Sequence, residues 1–438
     1  MKKVVLSVAA LMCGAMMVAQ SNSSTVNQSG MNNGSTVNQT GLTNLSTVDQ
    51  AGDSNVSGVM QSGTSNWNDT DQLGDGNTAS ATQMGLRNDS SIHQGFGSGS
   101  SINDGNSATV MSTGDYNTAH IDQYGDLDGS DDNTASIDQT GNSNYSYMDQ
   151  NGDMNLASTD QVGDYNISYV YQYGDSNSAT KVQSGDGNYS NTDQYGDGNS
   201  SSVSQVGDAN ISYETQYGDG NAISESIEGD GNYVSAYQNG DSNSAVLNAT
   251  KNNPAFFADN NELYATQIGD GNNVQVRVSG GDDNYVDASQ VGDNNYHRIG
   301  VSGNDNEVTL DVDGDSNRGD WRVADGYPPN ADDNDVELIQ NGNSNFSTGR
   351  VMGDNNDVVV SQVGNSNKVG SAWYTGDGVV IDGDFNTAEI FQNGDMNMAT
   401  SFQTGDFNQS YTTQSGMSHT SATTQIGNSN TSSVNQSN

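Results

Sequence analysis

The chain is poor in the residues that most functions are built from. In 438 residues it has one cysteine, three prolines, four histidines and eleven lysines and arginines together. The cysteine, Cys13, lies within the first twenty residues. The remainder therefore has no disulfide and no thiolate metal site. With 55 acidic residues the net charge is −44, which excludes unaided binding to nucleic acid. Cations and basic surfaces are the complementary partners. The one long apolar run, residues 4–18, is shorter than the ~18 residues a membrane span needs. Lys2 and Lys3 precede it and Ala19, Gln20 and Ser21 follow, so residues 1–20 read as a secretory signal peptide. Met12 before Cys13 does not make a lipidation box. No membrane insertion is expected of the rest.

No catalytic constellation is visible either. Serine is abundant, but no G-x-S-x-G elbow accompanies it. His93, His120, His297 and His419 fall on separate segments at no ligand spacing. The carboxylates recur as a pattern rather than as an acid–base pair. The chain reads as no enzyme, with no resident cofactor.

A hydrophobic fraction of 31% beside so large a net charge is the composition of disorder. Strict repetition overturns that inference, because stacked units share a core that none could bury alone. Gln28, Gln39, Gln50, Gln61, Gln72, Gln83 and Gln94 recur every eleven residues. Gly30, Gly41, Gly52 and Gly63 follow two positions later, and Asn33, Asn44, Asn55 and Asn66 five positions later. The register blurs near Gly95 and resumes at Gln139. Later copies hold Gly163, Gly174 and Gly196. The last glutamine of the series is Gln436. About 34 such units cover residues 21–438.

Parity assigns the secondary structure. Counting every second residue gives Asn33, Ser35, Val37 and Gln39, then Asn44, Ser46, Val48 and Gln50. Further copies give Asn117 to Gln123, Asn155 to Gln161, Asn199 to Gln205 and Asn386 to Gln392. Asn55 with Gln61 and Asn430 with Gln436 keep the same spacing. One face thus repeats Asn, a small residue, an aliphatic one and Gln; a period of two is a strand and not a helix. Each unit is a strand of about seven residues, Asn to Gln, and a four-residue arc whose glycine supplies positive φ. Two units make a 22-residue rung of an all-β solenoid, with two parallel in-register sheets face to face and rungs ~4.8 Å apart. Buried Asn and Gln are costly unless paired. In register, each amide bonds to its copies above and below as an Asn/Gln ladder.

The regularity divides the chain. Residues 21–248 and 386–438 are regular. Residues 249–385 are degenerate, with extended arcs near Thr250 to Asn260, Ala324 to Asp333 and Tyr374 to Asp382. These arcs hold Phe256, Phe257, Tyr327 and Tyr374. In this part Val301, Val312, Val323, Val351 and Ile381 replace the glutamine, so a more ordinary apolar core is expected. Arg318-Gly319-Asp320 spells an adhesion tripeptide, but within a strand-like unit, where chance explains it.

The repeat resembles the curlin repeat of bacterial curli subunits, in which Gln-x-Gly-x-x-Asn-x-Ala-x-x-x-Gln recurs. Asn117-Thr118-Ala119 with Gln123, Asn133 with Gln139, and Asn155 with Gln161 carry that likeness. The resemblance spans nearly all of residues 21–438, though the chain is longer and more acidic than the family's major subunits. It implies a secreted amyloid fibre subunit on the surface of a Gram-negative bacterium, acting in biofilm matrix and adhesion. It also implies self-assembly, a nucleator subunit and an outer-membrane export pore.

Two features bear on assembly. Aspartates such as Asp164, Asp175, Asp186, Asp197, Asp208 and Asp219 follow the arc glycines and stack into columns. Such columns either keep rods apart or bind calcium. Residues 21–48 carry no charge, and residues 409–438 carry none apart from His419. Uncharged edge strands are templates for another chain, so head-to-tail stacking is expected. The alternative is a monomeric acidic solenoid acting as an adhesin or calcium-binding surface protein.

Overall fold

A computed structural model describes residues 21–95, 104–124, 131–251, 258–323, 331–370 and 378–438. The signal peptide expected at residues 1–20 lies outside the described residues, as do Phe256, Phe257, Tyr327 and Tyr374. Every regular element among the described residues is a strand, and no helix is long and apolar enough to cross a membrane. The described residues form 36 strands, most of seven residues. Lys368–Val369 and Val379–Asp382 are two halves of one strand site, since both pair with Phe346–Met352 and with Met398–Thr404.

The chain forms two compact units, residues 1–149 and 150–438, whose boundary falls inside the strand Tyr145–Asn151. Each unit is a parallel β-solenoid in which successive strands alternate between two sheets. In the first, Ser23–Ser29, Leu45–Ala51, Trp67–Leu73, Asp89–Gln94 and Thr118–Gln123 stack on one another. Gly34–Leu42, Val56–Thr64, Thr78–Leu86, Ser107–Thr113 and Thr134–Thr140 form the other sheet. The second unit repeats the scheme up to Thr420–Ile426 and Thr431–Ser437.

Burial alternates as parity requires. Asn199, Ser201, Val203 and Gln205 are buried, and so are Asn117, Ala119, Ile121 and Gln123. The strand itself starts one residue later than the Asn-to-Gln span and ends one residue beyond it, as in Ser200–Val206. The Asn therefore closes the arc and is not the first strand residue. The usual offset between stacked residues is 22, as in Gln172 on Gln194. Where arcs are longer the offset grows, yet the register survives. Gln94 stacks on Gln123 and Gln362 on Gln392, 29 and 30 residues apart. The register is kept because a one-residue slip would turn every inward side chain outward.

Arc glycines are required twice over. Gly30, Gly41, Gly52, Gly163, Gly174 and Gly196 have φ between +106° and +119°. A Cβ at any of them would also overlap the carbonyl oxygen of the glycine one rung on. Two positions later comes a second left-handed residue that the sequence reading did not anticipate. It is Ser54, Tyr165 or Ser176 in some arcs, with φ near +60°, and Gly187 or Gly198 in others. No close neighbour meets a Cβ at Gly187. Gly174→Ala should therefore cost about 1–3 kcal/mol in backbone strain, with the steric overlap added. Gly187→Ala should cost only about 1–2 kcal/mol, because its φ of +70° is left-handed but no neighbour meets the Cβ. Denaturant unfolding of both variants checks this, and equal losses would contradict the stacking constraint.

Candidate functional site: ladders and arc columns

The functional surface of such a solenoid is its repeat, so the site is built column by column. In the first unit Gln28 donates through Nε2 to Oε1 of Gln50, Gln50 to Gln72, Gln72 to Gln94 and Gln94 to Gln123. These distances lie between 2.6 and 2.9 Å. On the facing sheet Gln39 donates to Gln61 at 2.7 Å and Gln61 to Gln83 at 2.8 Å. The second unit continues with Gln161, Gln183 and Gln205, and with Gln392, Gln414 and Gln436. The same Nε2 also donates to a carbonyl on the facing strand, as Gln50 does to Gly34 and Gln205 to Tyr189. Glutamine thus ties rung to rung and sheet to sheet.

Asparagine does more than form the simple amide ladder expected of it. Amide-to-amide bonds exist, for example Asn66 to Asn44 at 3.1 Å, Asn386 to Asn356 at 3.1 Å and Asn430 to Asn408 at 2.8 Å. In addition, Oδ1 of Asn33 accepts from the backbone N–H of Asn55 at 2.9 Å. Nδ2 donates to the arc carbonyl one rung on: Asn33 to Gly52, Asn44 to Gly63, Asn55 to Gly74, Asn117 to Gly141, Asn155 to Gly174 and Asn199 to Gly218. Asn therefore satisfies arc backbone that no strand partner reaches.

The arc aspartates have a role that charge alone did not reveal. The backbone N–H of Asp164 donates to Oδ1 of Asp186 at 2.8 Å, and Asp186 to Asp208 likewise. Asp175, Asp197, Asp219 and Asp241 form the parallel column. Asn fills the place elsewhere, as Asn142 does for Asp115. The arc needs an acceptor there, and charge is secondary.

A model of the curlin associated repeat matches residues 131–158, 152–180, 281–317 and 331–364. The chain carries curlin associated repeats. Comparison with curated proteins finds no match.

The solenoid interior departs from its pattern at two places in the second unit. The first is the aliphatic column, which is not always aliphatic: Lys181, Glu214 and Glu225 occupy it, fully buried. Lys181 donates to the carbonyl of Tyr169. Glu214 accepts from Ser201 and from Thr192, the latter at 2.6 Å. Glu225 accepts from Ser212 at 2.6 Å. Burial, and then the neighbouring Glu214, push the Glu225 carboxyl well above its ordinary range. Burial likewise raises Glu214 and lowers the Lys181 ammonium.

The second departure is the glutamine column itself. Ile227, Ala249, Val278, Val301, Val323, Val351 and Ile381 follow one another on one sheet and replace its ladder by apolar contact. They belong to an apolar cluster running from Ile223 to Ala399. On the other sheet only Val312 interrupts, between Gln290 and Gln340. There His297 crosses from the facing sheet and completes the chain. Gln290 Nε2 donates to His297 Nδ1 at 2.8 Å, and His297 Nε2 donates to Gln340 Oε1 at 2.8 Å. This tautomer preserves the ladder's direction. Burial lowers the His297 imidazole to about 4. Gly319 lies under the ring, where a Cβ would come within 2.6 Å of His297 Cδ2. The Arg-Gly-Asp tripeptide is thus strand, with its glycine buried.

The histidines need a correction. His297 is a ladder element and His419 is partly exposed near the last rungs. His93 and His120, however, are neighbours: their ring centroids are 5.2 Å apart. A 29-residue stacking offset hid this, because the longer arc between them breaks the regular spacing. Outward tyrosines also stack, with Tyr173, Tyr195 and Tyr217 at 5.2 and 4.9 Å.

The buried groups set opposite pH dependences. The folded His297 value lies below the unfolded 6.5, so its contribution is full above pH 6.5 and lost as pH falls towards 4. The loss should total about 3 kcal/mol. His297→Gln should flatten that acid limb. The folded Glu225 value lies above the unfolded 4.5, so its contribution is greatest below pH 4.5 and declines as pH rises through the folded value. Glu225→Gln should remove that decline. Unfolding midpoints from pH 4 to 9 check both signs.

Proposed function

We propose that this protein is a secreted structural subunit that polymerises head to tail into curli-like amyloid fibres of a bacterial surface. The curlin repeat is that of a structural, non-enzymatic family. One observation supports the assembly mode above others. The edge strand Thr431–Ser437, TSSVNQS, nearly repeats the edge strand Ser23–Ser29, SSTVNQS. Among the described residues each is paired along one edge only. Neither carries a charge, and Val26 is 42% exposed although its position is inward. Stacked in register, Val434 would meet Val26 of the next copy, and Gln436 would donate to its Gln28. That contact continues the ladder from Gln414 to Gln436 in the same direction. The acidic arcs keep neighbouring rods apart sideways. Export through an outer-membrane pore, a nucleator subunit, and service in biofilm matrix and adhesion complete the proposal.

Purified protein should form thioflavin-positive fibres with cross-β diffraction at ~4.8 Å. Asp at Val26, Val37 and Val434 should slow elongation about tenfold or more, since each adds a charge to the docking rung. Fibres from these variants at the wild-type rate would exclude end-on templating. A stable soluble monomer would favour the adhesin alternative.

Calcium on the arc columns is a second proposal. The backbone bond engages one carboxylate oxygen of each aspartate, and a hard cation prefers such oxygens in number. Calcium should then raise the unfolding temperature relative to EDTA, and identical curves would rule it out.

A further inference from the structure

The outward face of the first unit holds a cluster that neither ladder nor arc requires. Outward strand positions need only tolerate solvent, so the repeat itself does not call for a convergence of histidine and carboxylate there. The parallel register sets His93 beside Asp122 and Ser91 beside His120. It also sets Asp71 beside His93. Nδ1 of His93 lies 2.9 Å from Oδ1 of Asp122, and Nε2 of His120 lies 2.8 Å from Oδ2. The Tyr147 hydroxyl donates to Asp122 at 2.9 Å, and its ring stacks on His120 at 5.0 Å. Tyr147 thereby fixes both a carboxylate oxygen and an imidazole plane. Ser91 Oγ lies 3.0 Å from the other nitrogen of His93. The side chains of His93, His120 and Asp122 are 24%, 27% and 17% exposed, so an ion can reach them.

We propose that His93, His120 and Asp122 bind a borderline divalent transition metal such as Cu²⁺ or Zn²⁺. One donor atom from each lies within 4.8 Å of the others. Asp69, Asp71 and His93 meet the same condition, so two carboxylates flank the shared histidine. Zinc at ~2.0–2.1 Å from each ligand holds them about 3.4 Å apart, which small rotamer shifts achieve. Two imidazoles and a carboxylate select Cu²⁺ or Zn²⁺, whereas Ca²⁺ and Mg²⁺ prefer oxygen alone. The ion takes the ring nitrogens that now face Asp122, so each neutral imidazole carries its proton on the other nitrogen, where Ser91 Oγ can accept a hydrogen bond from His93. Three protein ligands leave coordination positions open to solvent. This inference stands apart from calcium on the arcs, which involves other residues and oxygen ligands only.

The test is a Cu²⁺ titration of protein purified without a histidine tag, stripped with EDTA and held in millimolar calcium. One site per chain should appear, with paramagnetic resonance showing hyperfine coupling to two imidazole nitrogens, and Zn²⁺ should displace it. His93→Asn with His120→Asn should lower affinity about 100-fold or more and abolish the nitrogen signal. Asp122→Asn should weaken binding while retaining the nitrogen signal, and it decides the matter if the double variant misfolds. His419→Asn should change nothing. Unaltered affinity in the double variant and in Asp122→Asn, or displacement by calcium, would overturn the proposal.

Discussion

Parallel stacking in register is the constraint on which everything else depends. At a rung spacing of ~4.8 Å each side chain meets its own copy above and below. An amide can then be buried, because its copy supplies the missing partner. Gln50, Gln72 and Gln94 are buried and bonded to one another on that principle. A slip of one residue would strand every such amide and expose every valine. Polar burial, usually a liability, here specifies the register.

The arcs obey the same constraint. Their glycines are needed because the next rung's carbonyl occupies the space a Cβ would take. Their asparagines and aspartates offer acceptors to amides that no strand reaches. Longer connections between strands leave the register intact. Gln238 still meets Gln267 across a 29-residue offset. The arc aspartates that accept these amides also make the surface acidic. Where one sheet's glutamine column turns aliphatic, from Ile227 to Ile381, apolar burial takes over from the ladder. Each buried Val or Ile is worth roughly 1.5–3 kcal/mol.

Much of this was legible in residues 21–438. The spacing of Gln28, Gln39 and Gln50 announced the unit, and the parity of Asn199, Ser201, Val203 and Gln205 announced the inward face. Both are local properties of a strand. The second left-handed arc position was not legible, since Ser54, Tyr165 and Gly187 share no side-chain chemistry. The acceptor role of the arc aspartates was masked by their charge. Lys181, Glu214 and Glu225 fall on the inward parity of the repeat, and the structure buries them there.

The sequence by itself determined the period, the two faces and the all-β class, because these depend on neighbours a few residues apart. Only the tertiary structure decided which columns share a sheet. It showed that His297 from one sheet bridges the gap that Val312 leaves in the other. It also brought His93 to His120 and Asp122. The physical reason is the same in both cases. Contacts between rungs depend on how many residues each arc absorbs, and that number is fixed by stacking energy rather than by any regular spacing along the chain.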